Sequence, residues 1–293
     1  MNKIFRSYHV WPRFPSVSMS GNNCALSCKH CNHTYLNDMQ ELTKPEELLK
    51  SCKRFADEGA VGFLLSGGCD KNGEMINLRK LLPVVKQIKS ETDLVVKLHT
   101  GLVDKKLAED IVNAGVDIAS VEVVGSNETI QEIFDFNATV DSYSDTLQNL
   151  EAAGIPYIVP HVCIGLHYGK LKGEFHALEM IKNYCDPALL VMIIFRPTKG
   201  TILEKCQTSS AEEVGLVIKK AKELFPSKDV SLGCIRPRLK LREEIELAAF
   251  KAGATRMEIP SKNTLKYAEE MGYTIKKIHA CCALPEELEH TIF

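Results

Sequence analysis

Three cysteines in one short loop have the spacing most informative about chemistry. Cys24, Cys28 and Cys31 form a C-x3-C-x2-C run that supplies three thiolates within eight residues. A closed zinc site or an electron-transfer iron-sulfur cluster needs four protein ligands, and no fourth cysteine lies nearby. Three thiolates on a 4Fe-4S cluster leave one iron open, as chemistry at a metal requires. The alternative is a zinc knuckle in which His30 or His33 is the fourth ligand.

Composition excludes several other functions. The 293 residues include 36 Lys plus Arg against 38 Asp plus Glu, a net charge of -2, so no overall field attracts nucleic acid or an anionic membrane. Residues 1–14 lack the apolar segment of an export signal, and the longest apolar run, 188–195, is too short to span a membrane. Eleven cysteines are an odd number in a long chain, which disfavours a disulfide framework. We therefore expect a protein of a reducing, oxygen-poor cytoplasm.

The elements that must position the cysteines follow a regular alternation. Apolar, β-rich runs alternate with amphipathic helical stretches at a period of roughly thirty residues, which indicates parallel βα units. The pattern predicts an α/β fold, a (β/α)8 TIM-type barrel over residues 1–272, with a tail at 273–293 that carries two cysteines and folds over the barrel. The eight expected strands are 16–19, 61–65, 94–98, 117–123, 157–163, 189–195, 230–232 and 256–259.

In such barrels the loops after the strands build the active site. The cysteine loop follows the first expected strand, which is a position where active-site residues are expected. After the second strand comes Ser66-Gly67-Gly68-Cys69-Asp70, in which the glycines let the backbone approach a polar ligand closely. The alternative for this segment is an ordinary tight turn.

The cysteine motif resembles that of the radical S-adenosylmethionine (SAM) enzymes. The resemblance implies a 4Fe-4S cluster whose open iron is chelated by SAM. It also implies that Ser66, Gly67 and Gly68 bind the SAM amino group, although Cys69 stands where the family has a Glu. His30 stands where the family has an aromatic residue against the adenine. The other implied cofactor-binding residues are His99, Thr100, Val124 and Gly125 near the ribose, and His161 and Gly165 near the adenine.

The segment 230–236 resembles the part of biotin synthase whose arginine ligates a sacrificial, sulfur-donating cluster. Arg236 takes the place of that arginine, which implies a catalytic role beside Cys24, Cys28 and Cys31. The alternative is an arginine that pairs with a neighbouring carboxylate.

Further cysteines predict a second ligand set. Cys69 and Cys234 follow strands, whereas Cys281 and Cys282 lie on the tail. We interpret Cys234 and Cys282, with Cys69 or Cys281, as ligands of an auxiliary iron-sulfur cluster. The alternative is that these thiols bind no metal.

Together these segments resemble an archaeal-type family whose members form a two-protein lipoyl synthase. The resemblance implies sulfur insertion into unactivated C-H bonds of a protein-bound octanoyl chain, as in lipoate biosynthesis. It further implies a lipoyl carrier protein or octanoyl-lysine substrate, a homologous second subunit, and an electron donor such as ferredoxin or flavodoxin. Two alternatives remain open. One is a radical SAM enzyme that rearranges or methylates a small molecule, and the other is a non-catalytic iron-sulfur or zinc protein.

Overall fold

A single parallel sheet forms the centre of the molecule. The computed structural model describes residues 3–238 and 240–289, and in this part of the chain eleven strands join one curled sheet. The strands are β1 Lys3–Tyr8, β2 Ser16–Ser18, β3 Gln40–Glu41, β4 Gly62–Ser66, β5 Val95–His99, β6 Ile118–Glu122, β7 Tyr157–Ile164, β8 Leu189–Ile194, β9 Asp229–Leu232, β10 Arg256–Glu258 and β11 Tyr273–Ile278.

The strand order confirms the predicted fold class. It runs β11-β1-β10-β9-β8-β7-β6-β5-β4-β2-β3, and the eight expected strands are β2 and β4 to β10. All of the strand pairs are parallel. Among the described residues the edge strands β3 and β11 are not paired with each other, so the sheet is a curled barrel left open at one seam.

The extra strands β1 and β11 correct the expected domain boundary. They pair in parallel over six residues, from Lys3 with Tyr273 to Tyr8 with Ile278. Residues 273–278 therefore belong to the sheet and not to a tail. Lys276 and Lys277 obscure β11 in the sequence, because a charged, half-exposed edge strand lacks a clear apolar alternation.

Helices cover the outer face of the sheet, and their caps mark where each begins. In α7 the buried residues Val214, Val217 and Ala221 share one face, and Ser210 with Glu213 forms a capping box before it. The helices are α1 Pro45–Asp57, α2 Leu78–Glu91, α3 Lys105–Asn113, α4 Asn127–Thr129, α5 Val140–Ala153, α6 Glu174–Tyr184, α7 Ala211–Leu224, α8 Lys240–Lys251, α9 Lys262–Glu270 and α10 Glu286–Glu289, with a π turn at Ile130–Phe134.

The segment after β11 lies inside the curl of the sheet. Cys282 and Leu284 are buried in one apolar cluster with Val95, Ile118 and Leu189, which lie at or near the beginnings of their strands. The segment thus fills the half of the curl at the amino ends of the strands and does not cover the mouth. It brings the expected cysteine pair into the interior.

A buried carboxylate anchors this segment. Glu289 Oε1 accepts a hydrogen bond of 2.6 Å from the Tyr8 hydroxyl, and Oε2 accepts one of 3.0 Å from Lys276 Nζ. Arg6 Nε and Arg256 Nη1 lie 3.2 and 3.4 Å from Oε1. Since buried charges are retained only when they are paired, this network fixes the end of the segment to β1, β10 and β11.

None of the helices in the described ranges is both long and apolar enough to cross a membrane.

Candidate active site

The three-cysteine loop lies between β2 and β3 and is held by backbone hydrogen bonds. The amides of Cys31 and Asn32 donate to Cys28 O at 3.1 and 3.0 Å, which makes a tight turn between the last two thiols. Ala25 N donates to Cys69 O at 2.7 Å, and this bond ties the loop to the segment after β4. The thiols are thus positioned by backbone geometry before any metal binds.

The three thiols lie close enough to affect one another's ionisation. Burial first, and then the neighbouring thiols of Cys31 and Cys24, raise the pKa of Cys28. Burial also raises the pKa of Cys31. The backbone N-H of Cys69 donates to Cys24 Sγ at 3.3 Å, a bond that stabilises a thiolate. Thiols that oppose one another's ionisation favour a bound cation, because a metal removes that penalty. The donor set fits a soft metal or a cluster with three protein ligands.

The two glycines after β4 allow the cysteine loop to pack closely. A Cβ on Gly68 would lie 2.2 Å from Asn23 O and 2.5 Å from Cys24 Cβ, so any side chain here would displace the loop. The amide of Gly68 donates to Ser20 Oγ at 2.7 Å. Gly67 lies beside it on the wall of a cavity. The turn therefore serves the thiol loop as well as any bound ligand.

This cavity occupies the mouth of the curl beside the thiols, with a volume of about 320 Å³. Its walls are largely apolar, with polar groups from β4 to β7 on one side and from His30, Tyr35 and Arg196 elsewhere. Of the residues expected from the sequence to bind a cofactor, it brings together His30, Ser66, Gly67, His99 and His161, with Cys31 and Cys69.

Five expected residues do not line this cavity: Gly68, which packs against the cysteine loop as described above, and four others. The Thr100 hydroxyl is fully buried and donates to Gly101 O at 2.9 Å. Val124 and Gly125 line a separate small cavity, and a Cβ on Gly125 would lie 2.1 Å from Gly173 O beside α6. Gly165 N donates to Glu174 Oε1 at 2.8 Å. These four positions lie after the ends of β5, β6 and β7 and serve turns and helix packing.

His30 is a neutral imidazole on the cavity wall. Burial lowers its pKa to about 4, and its Nδ1 has no hydrogen-bond partner within the described chain. The ring lies edge-on to Phe134, with 5.3 Å between the ring centroids. A planar, uncharged ring beside the thiols is suited to contact an aromatic ligand, as predicted for this position.

His99 and His161 form a second pair of neutral imidazoles, with their ring centroids 5.7 Å apart. Burial and then the charge of Lys97 lower both pKa values, that of His161 to about 3. His161 Nδ1 donates to Val159 O at 3.0 Å, and His99 Nδ1 lies 3.0 Å from Ser66 Oγ. Their Nε2 atoms remain available to a ligand.

Glu122 is a site residue that was not predicted from the sequence. This residue ends β6, lines the cavity, and has no hydrogen-bond or ion-pair partner among the described residues. Burial raises the pKa of its carboxyl to about 7. Alternation along β6 would have identified it, because Ile118, Ser120 and Glu122 share one face of the strand. An unpaired carboxyl beside the thiols is suited to a cationic ligand.

A second set of thiols lies deeper in the curl. Cys281 Sγ accepts a hydrogen bond of 3.4 Å from Lys97 Nζ, and a bond from Cys282, followed by the charge of Lys97, lowers the Cys281 pKa. The side chain of Cys234 is accessible to solvent. Desolvation by the many protein atoms near it, followed by the charge of Cys281, raises its pKa. Cys234 also contributes to the raised pKa of Cys282. These three thiols, after β9 and after β11, therefore lie close enough to affect one another's ionisation, and we call them the second thiol group.

Cys69 does not belong to this second group. Its Sγ lies 3.6 Å from Met75 Sδ, and after burial the Cys24 thiol is the largest cause of its raised pKa. It lines the cavity beside the first thiols. Of the four expected auxiliary ligands, Cys234, Cys281 and Cys282 are brought together and Cys69 is placed apart.

Arg236 lies near Cys234, on whose pKa its charge acts, but its guanidinium makes its hydrogen bonds elsewhere. Its guanidinium is buried and donates to Glu246 Oε1 at 2.7 and 3.1 Å and to Gly233 O at 2.7 Å. Further bonds reach the backbone of Glu258 and Ile259. The guanidinium thus makes the carboxylate pair that the alternative describes. The sequence spacing correctly predicted that Arg236 follows β9, but it did not predict which groups its side chain would contact.

Comparison with known proteins gives one family. Residues 19–175, more than half of the chain, match the model of the Radical SAM superfamily. The chain is 25% identical over 238 residues to a biotin synthase of Citrifermentans bemidjiense, a match that covers 79% of this chain and 69% of that protein. It is 24% identical over 274 residues to a biotin synthase of Geotalea daltonii, with 89% and 79% covered.

A solved structure with a similar fold is that of methylornithine synthase. The TM-score is 0.63 at 17% identity, and the match covers 94% of this chain and 84% of that one. At this identity the likeness shows the fold alone.

Proposed function

Because this chain belongs to the radical SAM superfamily, we propose that it inserts sulfur into unactivated C-H bonds of a protein-bound octanoyl chain, as one subunit of a lipoyl synthase. Membership implies a 4Fe-4S cluster and SAM, and the proposal adds a second cluster, the acyl substrate and the partners. The proposal is supported by the two groups of thiols and the largely apolar cavity inside the curled sheet.

Cys24, Cys28 and Cys31 are the residues that would hold the first cluster. When bound, the cluster and SAM supply hydrogen-atom abstraction, since one electron from a donor splits SAM into methionine and a 5'-deoxyadenosyl radical. The protein contributes the positioning. His30 would lie against the adenine, Glu122 would face the positive charge of SAM, and the apolar walls would keep water from the reactive space.

The observation that carries the proposal is the second thiol group. Cys281 and Cys282 lie inside the curl on the segment after β11, which Glu289 anchors, and the solvent-exposed Cys234 follows β9; all three are distant in sequence from the first loop. Structural cysteines would not need a buried lysine beside them. A second cluster here would supply one sulfide to a substrate carbon radical, with the remaining electron taken up by cluster iron.

The cavity favours an aliphatic substrate over a polar one. Apart from the groups assigned to SAM, its walls are mostly apolar, and an alkyl chain needs only such contacts. The apolar wall residues include Leu26, Leu36, Met39, Met75, Leu102, Phe136, Phe195 and Ile235. An octanoyl chain on a lysine would enter from the mouth, while its carrier remained outside.

We propose three partners on the same basis. They are a lipoyl carrier protein or other octanoyl-lysine substrate, a homologous second subunit, and a one-electron donor such as ferredoxin or flavodoxin. A sacrificed cluster must be rebuilt after each insertion, so two proteins would each supply one of the two sulfurs. A swinging acyl-lysine can move between two such curls without release.

One second candidate has a specific observation in its favour. The curated relatives that match at 24 to 25% identity are biotin synthases. Sulfur insertion into a small molecule would use the same two thiol groups, so the substrate, and not the metal content, separates this candidate from ours.

SAM binding should depend on Glu122. Glu122→Gln keeps the shape of the side chain and removes a charge-assisted contact worth about 1.5–3 kcal/mol, so we expect roughly ten- to hundredfold weaker SAM binding. Because the carboxyl is neutral below its pKa of about 7, wild-type affinity should rise as pH increases through that value. Calorimetric titration across pH, with the exposed Glu109→Gln on α3 as control, measures both effects. Equal affinity and an identical pH profile in Glu122→Gln would remove Glu122 from the site.

The substrate proposal is tested by mass spectrometry of an octanoyl-lysine peptide. The reconstituted protein, incubated alone with the peptide, SAM and a reductant, should yield a monothiolated peptide and no dithiolane. Addition of a close paralogue should complete the second insertion. A full dithiolane from this protein alone would refute the division of labour. Unmodified octanoyl peptide under every condition, together with sulfur insertion into a free small molecule, would favour the second candidate.

A further inference from the structure

One buried cation in the described chain has no carboxylate partner. Arg6, Lys97, Arg236 and Arg256 are the buried basic residues in the described ranges. Each arginine lies within 4 Å of at least one Asp or Glu oxygen. Lys97 is 3% exposed, and its only polar contact among these residues is Cys281 Sγ at 3.4 Å.

The position of Lys97 follows from the alternation of β5. Val95, Lys97 and His99 share the face of the strand that points into the curl, with Val95 in the apolar cluster below and His99 on the cavity wall above. The ammonium therefore lies between the cavity and the apolar cluster, at the level of the second thiols. Its charge contributes to the lowered pKa values of both His99 and His161.

A buried ammonium without a carboxylate is expensive unless an anion neutralises it. The single Cys281 sulfur at 3.4 Å is the partner that the described residues supply, and a group that Cys281 ligates would place further negative charge beside the ammonium. An iron-sulfur group held by three thiolates carries net negative charge, and its burial has the opposite requirement for a nearby cation. The Lys97 ammonium and an anionic iron-sulfur group would therefore neutralise each other.

We propose that Lys97 is the positioning residue of the second thiol site, where its ammonium neutralises an anionic iron-sulfur group held by Cys234, Cys281 and Cys282. This inference rests on the proposed function. Lys97 would act through its charge and not as a ligand, unlike the ligating role that the resemblance implied for Arg236. Its charge stabilises the reduced, more negative state of the group and raises its midpoint potential.

The test is an EPR-monitored redox titration of the reconstituted full-length protein, with iron analysis. Lys97→Met removes the charge at similar volume, Lys97→Arg retains it, and the exposed Lys50→Met on α1 is the matched control. We expect the second cluster of Lys97→Met to titrate at a more negative potential or to be lost. The first cluster should be unchanged, Lys97→Arg should lie nearer the wild type, and Lys50→Met should equal it.

Two outcomes would overturn the inference in distinguishable ways. A wild-type protein with only about four iron atoms per chain would refute the second cluster and the proposed function with it. A wild type with about eight iron atoms, and a Lys97→Met variant with the same iron and the same potential, would refute the role of Lys97 alone. If Lys97→Met does not fold, as judged by circular dichroism, the polar Lys97→Gln takes its place with the same expected shift.

Discussion

Alanine at any one of Cys24, Cys28 or Cys31 is expected to reduce reductive SAM cleavage to the level without protein. Two thiolates do not hold a 4Fe-4S cluster with a single open iron, and no side chain can replace the one-electron chemistry that the cluster supplies. The measurement is 5'-deoxyadenosine formed under anaerobic reduction. Cys185→Ala, at the end of α6 and far from the loop, is the matched control and should retain wild-type cleavage. Retention of cleavage in all three loop variants would contradict the assignment of the first site.

Alanine at Cys234, Cys281 or Cys282 is expected to spare SAM cleavage and to abolish sulfur transfer. The iron content should fall from about eight to about four atoms per chain, because the second group loses a ligand while the first loop is untouched. Iron analysis, 5'-deoxyadenosine and thiolated peptide are measured on the same samples. Cys206→Ala, another partly buried cysteine after β8, should keep both iron and product. Variants that keep the iron and the product of the wild type would show that these thiols bind no cluster.

The sequence was most informative where chemistry is local. The first site could be predicted because its three ligands lie within eight residues, and its placement after a strand follows from the parallel βα pattern. The eight principal strands were predictable for a similar reason, since buried parallel strands are short apolar runs. In contrast, β11 was missed because it is a charged, half-exposed edge strand, and one of its lysines, Lys276, is paired with Glu289 from another part of the chain.

Side-chain direction was the main quantity that the sequence did not determine. Arg236 follows the expected strand, yet its guanidinium is held by Glu246 on α8, a contact that no local pattern predicts. The alternation of residues along a central strand predicts which face of the sheet a side chain lies on better than its position in a sequence motif does. Alternation assigns Glu122, at the end of β6, to the inner face of the sheet. The family resemblance instead pointed to Val124 and Gly125, two and three residues later and beyond the end of the strand.

The second thiol group was predicted only in part. Its members were recognised as spare cysteines at strand ends and on the last segment, but the choice among them required the path of the chain after β11. Because that segment enters the curl, Cys281 and Cys282 lie with Cys234, whereas Cys69 stays beside the first loop. Lys97 then provides a charge where a negatively charged group would be buried.

The central claim is that sulfur bound at Cys234, Cys281 and Cys282 is transferred to an aliphatic carbon. The most direct measurement is one turnover by protein reconstituted with heavy-isotope sulfide, in buffer that contains only ordinary sulfide, followed by mass spectrometry of the octanoyl-lysine peptide. Our account predicts a monothiolated peptide that carries the heavy isotope, in an amount no greater than that of the protein. A thiolated peptide with only ordinary sulfur, or 5'-deoxyadenosine without any thiolated peptide, would contradict it.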